Sequence, residues 1–466
     1  MKIAVFGTGY VGLVTGVGFA EMGNNVTCID IDERKIAQLA AGIPTIHESG
    51  LAELLTRNLR EGRLSFTIDS ARAVRAAEVV FIAVGTPSLS DGSADCSQIE
   101  AVGRVIGTAI DQYQVVIVKS TAPPGTAERL EAQIRAAVGR RRITGAAIPD
   151  PVVDVAVNPE FLREGAAIKD FLNPDRVIVG FASEQARSIL ERLYRPIVRM
   201  GRPVVWMDRK SAALTKYAAN AFLATKISFI NEIAALCDMI GADVASVAKG
   251  MGFDSRIGSR FLHAGIGWGG SCFPKDVAAL GQFATESGVT VRLPLAAMTV
   301  NSAQCERFVA IIRKVLGDLV GRTIAVWGAS FKPRTDDVRD SPALTIVSSL
   351  VQNGAIVRLF DPVARDSAAR ALSRHEHIEF PLSMYEAIDG VDALCICTEW
   401  DEFRSPDFER MRACMRSPII FDGRNIYEPS ELQAQGFRYY ALGRSCGQHV
   451  DAVVTCAITN DVRELS

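Results

Sequence analysis

The chain lacks both a long apolar run and an excess of charge of one sign. No stretch reaches about 18 consecutive apolar residues, the length that a bilayer span requires, so we expect no membrane-spanning helix. The 51 Lys and Arg residues nearly balance the 53 Asp and Glu residues, which leaves a formal net charge of −2. Nucleic-acid-binding proteins need a basic surface for phosphate contacts, so that class is not expected either.

Cysteine and histidine patterns typical of metal or disulfide sites are also missing. The ten cysteines are scattered without a CxxC pair, and the five histidines include no HExxH motif. We therefore expect no metal, and reduced thiols in a cytoplasmic compartment. The start of the chain, Met1–Phe6, leads directly into Gly7, which indicates a strand rather than a signal peptide.

The chain has 466 residues, enough for about three domains, and 48% of them are hydrophobic, as in globular proteins. Apolar runs separated by helical segments predict a parallel α/β sheet; they lie at 2–6, 26–31, 79–84, 115–119, 153–157 and 177–180. Residues 209–240 contain neither Pro nor Gly and predict one long helix. A second α/β pattern follows at 322–328, 356–362, 393–398 and 419–423. We predict two Rossmann-like, doubly wound domains joined by a long central helix and a helical region, with boundaries 1–205, 206–317 and 318–466.

The first strand is followed by a GxGxxG motif, Gly7-Thr8-Gly9-Tyr10-Val11-Gly12, which opens a predicted helix. Glycines there allow a tight turn and let backbone amides approach a pyrophosphate. Asp30 ends the second strand, where a carboxylate accepts from a ribose 2′-hydroxyl and repels a 2′-phosphate. The pattern predicts NAD rather than NADP; the alternative is a glycine turn without a cofactor. Two later strand ends, at Thr86 and Thr121, are either ligand-binding loops of the same crevice or ordinary turns.

Cys272 lies in the segment Gly265-Ile266-Gly267-Trp268-Gly269-Gly270-Ser271-Cys272-Phe273-Pro274-Lys275-Asp276. Pro274 suits the first turn of a helix, which places Cys272 at the helix N-terminus, where the dipole favours a thiolate. Such a cysteine is a candidate covalent nucleophile, and Asp276 follows one helical turn later. The alternative is a small buried apolar side chain, which is our interpretation of Cys395 and Cys397.

Two further pairs have the i, i+4 spacing of a helical face: Glu160 with Glu164, and Lys216 with Asn220. A buried Glu can act as a general base, and a Lys/Asn pair can donate to a developing oxyanion. Taken alone, each pair is also compatible with a solvated polar face.

Eight blocks together resemble the UDP-glucose/GDP-mannose dehydrogenase family. They are GTGYVG, VGTP, KSTAPPGT, NPEFLREG, KYAANAFLATKISFINE, GIGWGGSCFPKD, FKPRTDDVRDSP and FDGRN, in this order along nearly the whole chain. Residues 255–258 and 261–262 are more similar to the UDP-glucose branch than to the GDP-mannose branch. The resemblance implies an NAD-binding domain, a central dimerisation domain and a UDP-sugar-binding domain within the three predicted boundaries, and a homodimer formed through the long helix.

The implied reaction is a four-electron oxidation of UDP-glucose to UDP-glucuronate that uses two NAD molecules in turn. Hydride loss from C6 gives an aldehyde, Cys272 attacks it to form a thiohemiacetal, a second hydride loss gives a thioester, and water hydrolyses it. The same chemistry on a UDP-N-acetylhexosamine or GDP-mannose stays open. So do a two-electron 3-hydroxy acid dehydrogenase, which would form one NADH per substrate, and a non-catalytic nucleotide-sugar sensor.

The resemblance also implies roles for individual residues. Catalysis involves Cys272, the oxyanion-stabilising pair Lys216 and Asn220, the water-positioning pair Asp276 and Thr121, and the base Glu160. NAD contacts are implied for Gly7, Gly9, Tyr10, Val11, Gly12, Asp30, Lys35, Thr86, Thr121, Glu164, Lys275 and Arg339. Sugar-nucleotide contacts are implied for Glu160, Phe161, Leu162, Arg163, Lys216, Asn220, Arg256, Phe261, the 263–269 backbone including Gly269, Phe331, Lys332 and Arg424. Arg256 is also a candidate for the neighbouring subunit's site.

Overall fold

The computed structural model describes residues 1–150 and 152–444, and these form two compact units. The first unit contains Met1–Asn220 and Ala278–Thr290, and the second contains Ala221–Val277 and, as far as the structure describes the chain, residues 291–444. The domain boundaries after residues 205 and 317 stay predictions. Within the described ranges, no helix combines the length and apolar composition that crossing a bilayer requires.

The first unit is built on an eight-stranded sheet in the order β3-β2-β1-β4-β5-β6-β7-β8. Its strands are β1 Lys2–Phe6, β2 Asn25–Ile29, β3 Leu64–Thr67, β4 Val79–Ile82, β5 Gln114–Val118, β6 Val153–Val157, β7 Val177–Gly180 and β8 Val204–Met207. Strands β4, β5 and β6 are buried along their whole length, as expected for parallel strands covered on both faces.

The predicted parallel sheet contains one antiparallel junction, because β7 runs antiparallel to β6. The next strand therefore starts at the edge where β6 ends and runs in the opposite direction. Strand β8 then pairs parallel to β7.

Helices cover both faces of this sheet. They are α1 Tyr10–Glu21, α2 Glu33–Ala40, α3 Leu51–Arg60, α4 Ser70–Ala76, α5 Ser97–Ala109, α6 Thr126–Ile143, α7 Ala167–Leu172 and α8 Glu184–Arg199. Phe19 of α1 packs at 5.0 Å between ring centroids against both Phe81 and Phe171. This packing fixes α1, and with it the loop that precedes α1, against the sheet.

The predicted long helix is confirmed as α9, Arg209–Ile240, which begins in the first unit and ends in the second. Three more helices follow: α10 Val244–Gly252, α11 Phe273–Glu286 and α12 Arg292–Leu316. Helix α12 is followed by Gly317, which has a φ of 73°, a backbone conformation that glycine adopts at low cost.

The second unit contains a six-stranded parallel sheet in the order β11-β10-β9-β12-β13-β14. Its strands are β9 Thr323–Trp327, β10 Ile356–Phe360, β11 Ile378–Glu379, β12 Ala393–Ile396, β13 Ile419–Asp422 and β14 Arg438–Ala441. The helices between them are α13 Pro342–Gln352, α14 Arg365–Ala371, α15 Met384–Ile388, α16 Phe408–Cys414 and α17 Pro429–Ala434, with a 3-10 turn at Asp401–Phe403. The predicted α/β class, with two doubly wound units and a long helix, is confirmed.

Candidate active site

In the GxGxxG loop of the first unit, Gly7 and Gly12 lie at positions that leave no room for a side chain. Gly7 has a φ of +92°, and a Cβ on Gly12 would lie 2.0 Å from the carbonyl oxygen of Gly7. A Cβ on Gly9 would meet no heavy atom within 4 Å, so the loop is open above the start of α1. Closely packed glycines on one side and open space on the other suit a pyrophosphate at a helix N-terminus.

Asp30 follows β2 directly and is bonded to this loop. Its Oδ2 accepts from the backbone N–H (2.8 Å) and the hydroxyl (2.6 Å) of Thr8. Burial alone would raise the pKa of Asp30, but the hydrogen bonds from Thr8 and Asp32 and the charge of Lys35 outweigh it, so the pKa lies below its usual range. An ionised carboxylate has further lone pairs to offer a ribose hydroxyl, so the site fits NAD.

The two later strand ends meet at the same edge of the sheet. The Thr86 hydroxyl donates to the backbone carbonyl of Thr121 at 2.9 Å, and the Ser120 hydroxyl donates to the carbonyl of Val84 at 2.7 Å. The structure therefore joins the two loops in which the sequence predicted Thr86 and Thr121 as ligand contacts.

The expectation that Glu160 and Glu164 share a helical face is wrong, because residues 158–166 form a loop and α7 begins only at Ala167. Glu160 accepts from the backbone N–H of Leu162 at 2.6 Å, and Asp170 accepts from the backbone N–H of Arg163 at 2.9 Å. These side chains take the amides that helical bonds would use, and they are part of a compact local turn.

Glu160 is nevertheless buried, and it pairs with Lys216. The Lys216 Nζ donates to Glu160 Oε1 at 2.9 Å, and the side chains are 4% and 6% exposed. Burial would raise the pKa of Glu160, but the charge and hydrogen bond of Lys216, the Leu162 N–H and the charge of Lys119 lower it below its usual range. Asn220 follows Lys216 by one turn of α9 and is 6% exposed. The spacing predicted the pairing of Lys216 with Asn220 on one helix, but it did not predict the ion pair between Lys216 and Glu160.

Lys119 is a further buried cation for which the sequence analysis assigned no role. It follows β5 and donates to Asn158 Oδ1 at 3.0 Å. Burial is the main reason that the pKa of Lys119 falls to about 8. The charge of Lys216 also lowers this pKa, whereas the charge of Glu160 raises it. Its position in the KSTAPPGT block was visible, but a lysine at a strand end is usually exposed.

The second unit holds the glycine-rich segment in a network of side-chain bonds. Gly265 donates to Asn231 at 2.9 Å and accepts from Gln304 at 2.8 Å. The backbone of Trp268 exchanges two hydrogen bonds with the Asn301 side chain, at 2.8 and 2.9 Å. Amide side chains of α9 and α12 thus fix a segment that glycines alone would leave loose.

Cys272 immediately precedes α11, as predicted. Its carbonyl accepts from the Asp276 N–H at 2.8 Å, which is the first helical bond, and its sulfur lies 3.5 Å from the Ser271 hydroxyl. Cys272 is half-buried. The side chain of Asp276 is 1% exposed and accepts from Lys275 Nζ at 2.6 Å. The predicted helix-start thiol is therefore present in this unit, and the carboxylate that follows it by one turn is buried, which the sequence did not predict.

Cys96 has a comparable position that the sequence analysis did not identify. It is half-buried and precedes α5, but burial raises its pKa despite a hydrogen bond to Thr126 and the charge of Arg129. Cys395 and Cys397 are fully buried, in agreement with a packing role. No disulfide joins cysteines within residues 1–150 and 152–444.

The predicted sugar-nucleotide residues of the second unit fall into two groups. Arg424 is held against the glycine segment, because it donates to the carbonyls of Gly267 (3.0 Å) and Cys397 (2.8 Å). Phe331 lies where a Cβ on Gly270 would be 2.6 Å from its ring. Arg256 and Arg339 lie further out, with side chains 88% and 66% exposed, and each forms an ion pair with a nearby aspartate.

The other residues predicted to bind NAD or the sugar nucleotide differ in backbone conformation, ring contacts and exposure. Phe261 has a φ of 65°, which is rare for a bulky side chain and concentrates at functional sites. Lys332 Nζ lies 5.3 Å from the Phe331 ring centroid. In the first unit, Lys216 Nζ lies 5.3 Å from the ring centroid of Phe161. Lys35 and Arg163 are exposed, whereas Tyr10, Val11, Leu162 and Glu164 are half-buried.

Comparison with known proteins finds family models that match three successive parts of the chain. Models of the UDP-glucose/GDP-mannose dehydrogenase family match residues 1–198 (NAD binding domain), 210–303 (central domain) and 325–429 (UDP binding domain). The chain is 46% identical to the UDP-glucose 6-dehydrogenase of Pseudomonas aeruginosa, over 97% of this chain and 99% of the relative. It is 47% identical to that of Rhizobium meliloti, over 95% of this chain and 100% of the relative.

A solved structure of a UDP-glucose dehydrogenase from Pyrobaculum islandicum matches with a TM-score of 0.86 at 37% identity, covering 95% of this chain and 98% of that one. Family models, full-length relatives and a solved structure therefore agree with the motifs and the geometry. This chain belongs to the UDP-glucose/GDP-mannose dehydrogenase family.

Proposed function

We propose that this chain is an NAD-dependent UDP-glucose 6-dehydrogenase, which oxidises the C6 alcohol of UDP-glucose to a carboxylate through a covalent intermediate on Cys272. The observation that carries the proposal is the position of Cys272, half-buried at the start of α11 in a bonded glycine segment. The full-length relatives that bear this activity support the choice of substrate. Bound NAD supplies a hydride acceptor, used twice per sugar.

We assign the proton and charge chemistry to polar side chains, all but one of which belong to the first unit. Lys216 and Asn220 are one helical turn apart, and we assign them the stabilisation of negative charge on the C6 oxygen. Glu160 stays ionised because its pKa lies below its usual range, despite the burial that opposes this. An ionised buried carboxylate can take a proton from the water that attacks the thioester. Thr121 stands at the strand end that bonds Thr86, and we assign it to positioning that water together with Asp276.

Cys272 supplies the covalent step. Its thiolate adds to the C6 aldehyde, which forms a C–S bond and a thiohemiacetal oxyanion. Loss of the C6 hydride then gives a thioester. Attack by water breaks the C–S bond, releases the carboxylate and returns the thiolate. The tether keeps the reactive aldehyde bound between the two oxidations.

Two measurements test this function. NADH formed per sugar should be two with UDP-glucose, and a panel of UDP-N-acetylglucosamine, UDP-N-acetylmannosamine and GDP-mannose should turn over more slowly. A value of one would favour a two-electron dehydrogenase. Cys272→Ser should abolish carboxylate release and spare UDP-glucose binding, whereas Cys96→Ser, the matched half-buried helix-start thiol, should keep turnover. Full activity of Cys272→Ser would refute the covalent route.

We also propose a homodimer through α9. Phe222, Phe229 and Leu236 follow one another at intervals of seven residues, so they lie along one side of the helix, and they are 66%, 44% and 53% exposed. An apolar stripe of this kind suits a second copy of the chain. Phe229→Glu should give a monomer by light scattering, whereas Phe253→Glu, a change at an exposed residue directly after α10, should not. A reducing, cytoplasmic location stays a prediction from the scattered cysteines.

A further inference from the structure

Glu48 is a buried carboxylate without a role in the reaction proposed above. It lies in the loop before α3, is 8% exposed, and is reached by two other segments of the first unit. Its Oε1 accepts from the backbone N–H of Ala167 at 2.9 Å, and its Oε2 accepts from the backbone N–H of Gly165 at 2.8 Å. The Tyr10 hydroxyl also donates to Oε2.

Tyr10 connects this hydrogen-bonded cluster to the predicted NAD-binding loop. It is the first residue of α1 and part of the GxGxxG loop, and its hydroxyl accepts from Gly165 N–H at 2.7 Å. Burial, with the hydrogen bond and charge of Glu48, raises the pKa of Tyr10 above its usual range. The hydroxyl therefore keeps its proton and remains a donor to Glu48.

Gly165 lies near the end of the 158–166 loop, and Ala167 is the first residue of α7, directly after that loop. The N–H of Gly165 points to Glu48 and Tyr10, so the carbonyl of Glu164, on the same trans peptide, points away from them. The orientation of that peptide is thus set by two side chains that lie 117 and 155 residues away along the chain. A shift of the GxGxxG loop would move Tyr10. It would therefore disturb the Tyr10 and Glu48 oxygens that accept from Gly165 of the 158–166 loop.

We propose that Glu48 is a positioning residue that couples the dinucleotide site to the sugar-nucleotide site. The carboxylate joins the GxGxxG loop, through Tyr10, to the 158–166 loop, through Gly165 and Ala167. A ligand that fixes one loop therefore favours the bound geometry of the other, and the effect is reciprocal. The inference rests on the proposed function, because it takes these loops as the NAD and UDP-sugar contacts of the first unit.

Calorimetric binding of UDP-glucose to the full chain, without and with saturating NADH, tests the coupling in the absence of turnover. In the wild type, NADH should lower the Kd of UDP-glucose by about five-fold or more. In Glu48→Gln the ratio of the two Kd values should fall to within about two-fold of one. The glutamine amide has the size of the glutamate carboxylate but no charge. Its NH2 group would face the N–H and O–H donors that the carboxylate accepts from. Glu53→Gln, an exposed carboxylate on α3, is the matched control and should keep the wild-type ratio.

A second variant gives an answer even if Glu48→Gln does not fold. Tyr10→Phe keeps the carboxylate and both of its backbone bonds, but cuts the connection to the GxGxxG loop, so it should also lower the ratio. An unchanged ratio in a folded Glu48→Gln or in Tyr10→Phe overturns the inference, as does a wild type that binds both ligands independently. A wild type that binds no UDP-glucose contradicts the proposed function instead.

Discussion

Replacing Lys119 with Met should stabilise the protein near pH 7, although it removes a buried hydrogen bond. Lys119 is 5% exposed and interacts with Glu160 and Lys216, so two cations share one carboxylate. Burial of a charge costs free energy unless it is matched. Removing Lys119 leaves the matched pair of Lys216 and Glu160, which are joined at 2.9 Å.

The magnitude follows from the pKa. Burial is the main cause that lowers the pKa of Lys119 from 10.5 to about 8, and that interval corresponds to about 3 kcal/mol. The lost hydrogen bond to Asn158 costs about 1 kcal/mol, and Tyr194 continues to donate to the same oxygen at 2.6 Å. The free energy of unfolding of Lys119→Met should therefore exceed that of the wild type by about 1–2 kcal/mol.

The difference should depend on pH in one direction. Since the pKa of Lys119 is lower in the folded protein, the unfolded chain binds more protons between pH 8 and 10.5. The stability of the wild type therefore rises relative to the variant across that window. The advantage of Lys119→Met should be largest below pH 8 and should disappear toward pH 10.5.

Urea unfolding at about pH 7 and about pH 9.5, compared through the midpoints at a common slope, measures both effects. Lys169→Met, a change at an exposed lysine of the same unit, is the matched control and should shift neither midpoint. A Lys119→Met variant that is less stable than the wild type at pH 7 would refute the reasoning, and so would a stability gain that is the same at both pH values.

Three further changes have expected outcomes. Gly269→Ala places a Cβ 2.0 Å from the carbonyl oxygen of Asp340. The free energy of unfolding measured in urea should therefore fall by about 1–3 kcal/mol or more. Gly250→Ala, at a position with open space around it, is the control and should not cause this loss. Arg424→Met removes charged hydrogen bonds to two backbone carbonyls. The free energy of unfolding should fall by at most about 1.5–3 kcal/mol for each bond that is lost. The Kd of UDP-glucose should also rise. Asp30→Asn removes the charge that repels a 2′-phosphate, so the ratio of kcat/KM for NAD to that for NADP should fall by about ten-fold; an unchanged ratio would contradict the role of Asp30.

Several features could be predicted from sequence because they depend on residues close together in the chain. The glycines of the GxGxxG turn, the acidic end of β2 and the proline that follows Cys272 each act within a few positions. Residues 209–240 contain neither Pro nor Gly and form a single helix with the predicted ends. Local rules of this kind depend on backbone sterics, which the neighbouring residue types determine.

The expectations failed where residue spacing and hydrophobic periodicity do not report which groups bond or which way the chain turns. The i, i+4 spacing of Glu160 and Glu164 favoured a helix, but side-chain carboxylates of that loop and of Asp170 accept the amides instead. The direction of β7 depends on whether the preceding connection crosses the sheet, and hydrophobic periodicity does not report this. Cys96 has the helix-start position of Cys272 without the glycine run that drew attention to the latter.

The sequence by itself determined the α/β class, the long central helix, the family and the cysteine at a helix start. Only the tertiary structure showed that Lys119 is buried beside Asn158, 39 residues away, and that Glu48 accepts from Gly165, 117 residues away. The physical reason is that a charge is stabilised or destabilised by whatever surrounds it in space, and a chain position does not specify those surroundings until the whole fold has formed.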